Sequence, residues 1–243
     1  MNYCILNGKK STMVKGLMIQ SLPPITKPLM RTNIETIDGR DGDIVNKLGY
    51  AAYDKEMSIG LFGDYNISEV IEYFNSEGEV VFSNELDRKY RYQIIDQIDY
   101  ERLGIFRQAK VKFHVQPFKY STTQGFALYQ SYEQSDTVYN YGNVISKPTI
   151  YVEEATGPIT LTFPRGTIEI SSDIVDKQIG INTETMNAYE VQESGSSNVR
   201  LNRYVTCDYE NFGLDIGKTE YSVECGEGGS FRAVYIINMS RWI

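Results

Sequence analysis

Residues 109–116, Ala-Lys-Val-Lys-Phe-His-Val-Gln, alternate strictly between apolar and polar side chains. A period of two suits a half-buried β-strand, because successive side chains on a strand point to opposite faces. Ala109, Val111, Phe113 and Val115 take one face, and Lys110, Lys112, His114 and Gln116 take the other. Further strands are expected at Glu56–Phe62, Glu79–Ser83, Lys89–Ile95, Thr149–Glu153, Ile159–Phe163, Thr167–Ser171 and Phe231–Met239. Turn chemistry at Gly157-Pro158, Pro164-Arg165-Gly166 and Gly226-Glu227-Gly228-Gly229 separates several of them. Nineteen Tyr and 20 Gly against one Trp and one His agree with a β-rich, turn-rich chain. Tyrosine also favours surfaces that are buried only on assembly, since its ring is apolar and its hydroxyl tolerates water.

One segment reads as a helix. Ser68 is the expected N-cap, Glu69 favours the first turn, and Ile67, Ile71 and Phe74 share a face, with Gly78 as the stop. The expected fold is therefore mainly β with one short helix. At 243 residues two domains are expected. The polar stretch around Tyr120–Asp136 marks the boundary, giving domains 1–125 and 126–243.

Twenty-four basic residues face 32 acidic ones, a formal charge of −8. Such a surface repels phosphate backbones, so no nucleic-acid partner is expected. No apolar run is long enough to span a bilayer and the N-terminus does not read as a signal peptide, so neither a membrane partner nor secretion is expected. Cys4, Cys207 and Cys225 lack CxxC spacing and are expected to be reduced thiols.

No motif in the sequence carries a catalytic signature. Asp38, Asp41 and Asp43 alternate only in part as a calcium loop requires, with no matching downstream Glu, so an exposed glycine-rich turn is expected. Glu153 and Glu154 are adjacent, which on a regular strand points them to opposite faces and rules out a facing acid/base pair. A histidine-dependent triad would have to use His114, which lies on a sheet face beside Lys110 and Lys112. Gly8-Lys9-Lys10-Ser11 lacks the glycine spacing and ending of a P-loop. No catalytic residue, metal or cofactor is expected. The basic face formed by Lys110, Lys112 and His114, with Arg88, Lys89 and Arg91 upstream, suits an acidic neighbour in another subunit or in this one.

The segment Tyr92–Tyr120, closing in Val115-Gln116-Pro117-Phe118-Lys119-Tyr120, resembles the end of the N-terminal domain of phage distal tail (Dit) proteins. The Gly39-Arg40-Asp41-Gly42 loop, the Ser68–Phe74 helix running into Ser76-Glu77-Gly78-Glu79, and the Gly-rich turn and strand ending in Arg241-Trp242-Ile243 are similar to that family in the same order. The resemblance implies an N-terminal β-sandwich-like ring domain and a C-terminal galectin-like β-sandwich. It implies a homohexameric ring at the tail tip of a siphophage of a Gram-positive host, assembled in the host cytoplasm. Its implied partners are the tail tube protein, the tail-associated lysin or hub protein, and receptor-binding or baseplate proteins. Candidate interface residues are Arg40, Asp41, Arg91, Lys110, Lys112 and His114. Galectins bind sugar through a histidine, an asparagine, arginines and a stacking tryptophan. Here no histidine follows His114 and the one tryptophan is Trp242, so the likeness does not imply lectin activity. The alternative function is a module that binds host wall polysaccharide, with Tyr129, Tyr132, Tyr139 and Tyr141 as its aromatic cluster.

Overall fold

The computed structural model describes residues 1–123, 127–192 and 199–243, and they form a mainly β protein of two compact units, Met1–Thr123 and Gln124–Trp242. The expected boundary at 125/126 falls outside the described residues.

The first unit contains β1 (Cys4–Leu6), β2 (Lys9–Lys10), β3 (Leu17–Ser21), β4 (Met30–Thr36), β5 (Asp43–Tyr50), β6 (Tyr53–Leu61), β7 (Glu77–Phe82), β8 (Arg88–Gln93) and β9 (Gln108–Ser121). Seven of them make one antiparallel sheet in the order β2-β1-β7-β8-β9-β6-β3, while β4 and β5 pair only with each other. Helices α1 (Ile67–Phe74) and α2 (Tyr100–Phe106) add Val70, Tyr73, Phe74 and Leu103 to the core of this sheet. The alternation of β9 places Val111, Phe113 and Val115 in that core with no exposed surface. Burying a phenylalanine such as Phe113 contributes roughly 1.5–3 kcal/mol.

The strand does not stop at Pro117. It continues to Ser121, past the point where its pairing with β6 ends at Tyr53 opposite Val115. Beyond it, Tyr92 and Tyr90 of β8 face Val115 and Lys119, so a bulge takes up the extra residues around the proline. A residue without an N–H is tolerated at such a place.

The helix at 67–74 is present, but its cap lies earlier than expected. Asn66 has extended backbone and its side chain accepts from the Ser68 N–H at 3.0 Å, while its amide donates to Glu69 at 3.1 Å. The buried face is Val70, Tyr73 and Phe74, and Ile71 is exposed. The helix ends at Asn75, not Gly78. Gly78 belongs to β7, with φ at +137° and the Asn7 carboxamide where a Cβ would sit. Helix α2 is a second helix, in a segment without clear helical periodicity.

The second unit contains β10 (Ala127–Ser131), β11 (Ser135–Asn140), β12 (Thr149–Ala155), β13 (Ile159–Phe163), β14 (Gly166–Ile170), β15 (Lys177–Asn182), β16 (Asn187–Glu190), β17 (Val199–Arg200), β18 (Val205–Cys207), β19 (Gly217–Cys225) and β20 (Ala233–Asn238). They form a six-stranded sheet, β10-β20-β12-β15-β16-β17, and a five-stranded sheet, β11-β19-β13-β14-β18. Ile150, Val152, Ile179, Ile181, Val234 and Ile236 of the first sheet pack with Val138, Leu161, Ile168 and Val223 of the second in one core, the arrangement of a β-sandwich. The polar residues 127–140 thus include two strands, not a connector: each lies at the edge of its sheet, where among the described residues one side has no partner strand.

Candidate subunit and partner interface

Four of the six candidate interface residues share one surface. The outward face of the first sheet alternates in charge strand by strand: Glu77 and Glu79 on β7, Lys89 and Arg91 on β8, Lys110, Lys112 and His114 on β9, Asp54 and Glu56 on β6. Strand register places Asp54 opposite His114 and Glu56 opposite Lys112. His114 Nδ1 lies 2.8 Å from Asp54 Oδ1, and Lys112 Nζ lies 3.0 Å from Asp54 Oδ2 and 2.8 Å from Asp96 Oδ2. Lys110 Nζ lies 2.6 Å from Glu56 Oε1, and Lys89 Nζ 2.8 Å from Glu79 Oε2. The Arg91 guanidinium covers the Tyr120 ring at 4.7 Å from its centroid.

The acidic neighbours of this basic stripe therefore belong to its own unit: Asp54, Glu56 and Glu79 on the sheet, and Asp96 in the segment between β8 and α2. Hydrogen bonds from His114, then Lys112, hold the Asp54 carboxyl below the usual carboxylate range, and Asp96 followed by Asp54 raises Lys112. Exposed ion pairs of this kind add little stability, about 0–1 kcal/mol in general. Their consequence is a patterned, nearly neutral face.

Arg40 and Asp41 sit elsewhere, at the turn of the β4–β5 hairpin. Gly39 and Gly42 bracket them at φ +81° and +78°, a backbone glycine adopts without strain, and the Arg40 N–H donates to the Ile37 carbonyl at 3.1 Å. Asp43 accepts from Thr36 at 3.0 Å, and among the described residues no three His, Cys, Asp or Glu side chains are grouped to hold a metal.

The hairpin itself is the feature sequence reading missed. Ile34 and Val45 face each other across it, 58% and 52% exposed, and Leu48 on the same ribbon is 58% exposed. A two-stranded ribbon that buries neither face gains little stability from its own chain. Ile34 and Val45 pair as an uncovered apolar contact, and exposed apolar groups of this kind can mark contact surfaces. The signal available in the sequence was the Asp-Gly-Arg-Asp-Gly turn flanked by Ile34, Ile37, Ile44 and Val45.

A buried polar cluster lies on the core side of the first sheet. Lys119 pairs with Glu85 at 2.8 Å, and Glu85 also accepts from the Tyr90 hydroxyl. Lys55, 3% exposed, donates to the Pro24 carbonyl at 2.7 Å with its ammonium 4.8 Å from the Tyr90 ring centroid. Desolvation lowers Lys55 to about 8. Continuing the 109-111-113-115 alternation to 119 places a lysine on the apolar face, a clue the sequence carried.

Glu153 and Glu154 do not point to opposite faces. β12 bulges between Val152 and Ala155 with Glu154 at φ +50°, and both carboxylates reach Arg232, at 3.8 and 3.0 Å. Of the tyrosine cluster, Tyr139 and Tyr141 stack at 6.0 Å, Tyr129 packs against the core and donates to the Tyr139 carbonyl, and Tyr132 is exposed. The three cysteines are free thiols, and burial pushes Cys4 and Cys207 up to about 11. A groove of about 410 Å³ beside Lys110 is lined by Gln20, Ser58, Gln97, Asp99, Gln108 and Ala109. Among the described residues no helix is long and apolar enough to cross a membrane.

No family model matches the chain, and no curated protein sequence does. Solved structures do. The SPP1 Dit protein (gp 19.1), described as a paradigm of the hub adsorption apparatus in phages infecting Gram-positive bacteria, matches at a TM-score of 0.66 and 16% identity, covering 100% of both chains. The phage p2 baseplate in its activated conformation with Sr matches at a TM-score of 0.51 and 14% identity, over 99% of this chain and 98% of that one. From end to end, this chain has the fold of a phage Dit hub protein.

Proposed function

We propose that the chain is the structural hub of a siphophage tail tip, a distal tail protein that closes into a homohexameric ring. The ring joins the tail tube to the tail-associated lysin or hub protein and supports receptor-binding or baseplate proteins during attachment to a Gram-positive host. The observation that carries this reading is the fold match with SPP1 Dit across the full length of both chains. A lone resembling domain would leave the pairing of the two units unexplained.

Two features of the surface agree with it. The β4–β5 hairpin exposes Ile34, Val45 and Leu48, and a closed ring needs a surface on each copy that fits a different surface on the next. The charged face of the first sheet, where the candidates Lys110, Lys112 and His114 meet carboxylates of their own unit and Arg91 covers Tyr120, offers a polar surface for stacking against tube or lysin. The role is non-enzymatic, and the protein acts in the virion after assembly in the host cytoplasm.

Light scattering across concentration, alone and with the cognate tail tube protein, tests the reading. A six-fold mass in either condition supports it. A chain that stays monomeric in both overturns the ring. Replacing residues 32–47 by a two-residue turn is expected to lower the oligomer to monomer while leaving both cores folded.

A further inference from the structure

The outward face of the six-stranded sheet carries a row of residues set directly opposite one another across its whole width. In register these are Gln130, Tyr235, Tyr151, Gly180, Tyr189 and Arg200, one from each strand from β10 to β17. Their neighbours along the strands, Ile150, Val152, Ile179, Ile181, Ala188, Val234 and Ile236, point into the core, so the row faces outward. We infer that this tyrosine row is a binding site for a neutral polysaccharide.

The rings are held before any ligand arrives. Gln130 Nε2 donates to the Tyr235 hydroxyl at 3.0 Å, and that hydroxyl donates to Glu153 at 3.1 Å. The hydroxyls of Tyr151 and Tyr189 meet at 3.3 Å. Tyr189 lies across Gly180, with Cε2 and Cζ 2.5 and 2.7 Å from where a Cβ would sit. Glycine there lets the ring settle on the backbone, and any larger residue would lift it. All three tyrosines remain partly exposed.

The chemistry selects the ligand. From Tyr235 to Tyr189 the row crosses three strand spacings, about 14 Å, room for a short run of linked sugar rings. Its members offer aromatic rings, hydroxyls and an amide, and the aliphatic pair on the same face, Leu128 and Ile237, lies to one side, two residues along the strands from Gln130 and Tyr235. The nearest carboxylate, Glu153, is already engaged by Tyr235 and Arg232, and the cation Arg200 stands only at the far end. A surface of ring faces and hydroxyls with no free charge at its centre fits the C–H faces and hydroxyls of a neutral sugar chain. It fits a phosphate-bearing polymer or an aliphatic protein patch less well.

The test is a printed array of neutral and anionic bacterial wall oligosaccharides probed with the full labelled chain. Retention of a neutral glycan is expected, weakened roughly tenfold or more by Tyr151→Ala or Tyr189→Ala and unchanged by Tyr139→Ala on the other sheet. Tyr189→Phe keeps the ring and is expected to keep most of the binding. Because an alanine variant can misfold, saturation transfer from tyrosine protons to the retained glycan on wild-type protein supplies a check that needs no variant. An array with no retained glycan, binding indifferent to both alanine changes, or retention of anionic glycans alone with loss in Arg200→Ala, overturns the proposal.

Discussion

Lys119 and Glu85 form an ion pair at 2.8 Å with side chains only 8% and 12% exposed, on the core side of a sheet whose opposite face is a lattice of solvated charges. The two kinds of pair behave differently. The exposed ones are screened by water, while the buried one has taken its charges out of water and depends on each partner to offset the other's desolvation.

Removing one member of the buried pair therefore exposes that cost. Glu85→Gln is expected to destabilise the first unit by about 3 kcal/mol, because Lys119 and Lys55 then lack their shared anion. The double change Glu85→Leu with Lys119→Met is expected to cost less than Glu85→Gln alone. Urea unfolding of wild type and the two variants measures both, and a double change that costs more than Glu85→Gln alone would contradict the argument.

Lys55 sets a pH dependence. Its folded value lies at about 8, below the ordinary lysine range. Below pH 8 both folded and unfolded chains hold the proton, and between about 8 and 10.4 the unfolded chain binds more. Stability of wild type relative to Lys55→Met is therefore expected to rise with pH across that window and to be flat below it. Chemical denaturation at pH 7, 8, 9 and 10 gives the slope, and a falling difference would contradict the sign.

Asp54 shows the opposite case. Its carboxyl is held low by His114 and Lys112, so the stability it contributes is present above its unfolded value and lost as pH falls through the folded one. Carbon-detected titration of the Asp54 carboxyl is expected to show a midpoint below the usual range that returns toward it in Lys112→Ala. High salt is expected to shrink the difference, since the group is exposed.

Asn66 is the cap of α1, and Asn66→Ala is expected to cost about 1 kcal/mol. Ser68→Ala is expected to cost much less, because its backbone N–H, not its hydroxyl, makes the capping bond. Thermal melts of the two variants separate the assignments.

What the sequence disclosed follows where burial was one-sided. The β9 alternation, the Ile159–Phe163 strand and the apolar half of α1 could be read because one face of each meets a core. β4 and β5 showed no such pattern because neither face of that hairpin is buried by its own chain. The Glu154 bulge could not be seen either, since it arises where β12 must keep register with β15 and β20 at once. The gathering of Arg91 with Lys110, Lys112 and His114 depended on β8 pairing with β9. The tyrosine row depended on six strands whose order is not their order in the chain.

That last property bears on how the protein is made. Gln130 and Tyr235 touch across the first and last strands of the second unit, 105 residues apart in sequence. The β10 edge has no partner strand in its sheet until β20 has been synthesised. The seven-stranded sheet can close once β9 emerges, whereas the sandwich must wait on the ribosome for one of its final strands, and contacts that distant form slowly. During that interval the apolar faces of β10 to β19 stand open, so translation speed through this half sets how long they are exposed to aggregation.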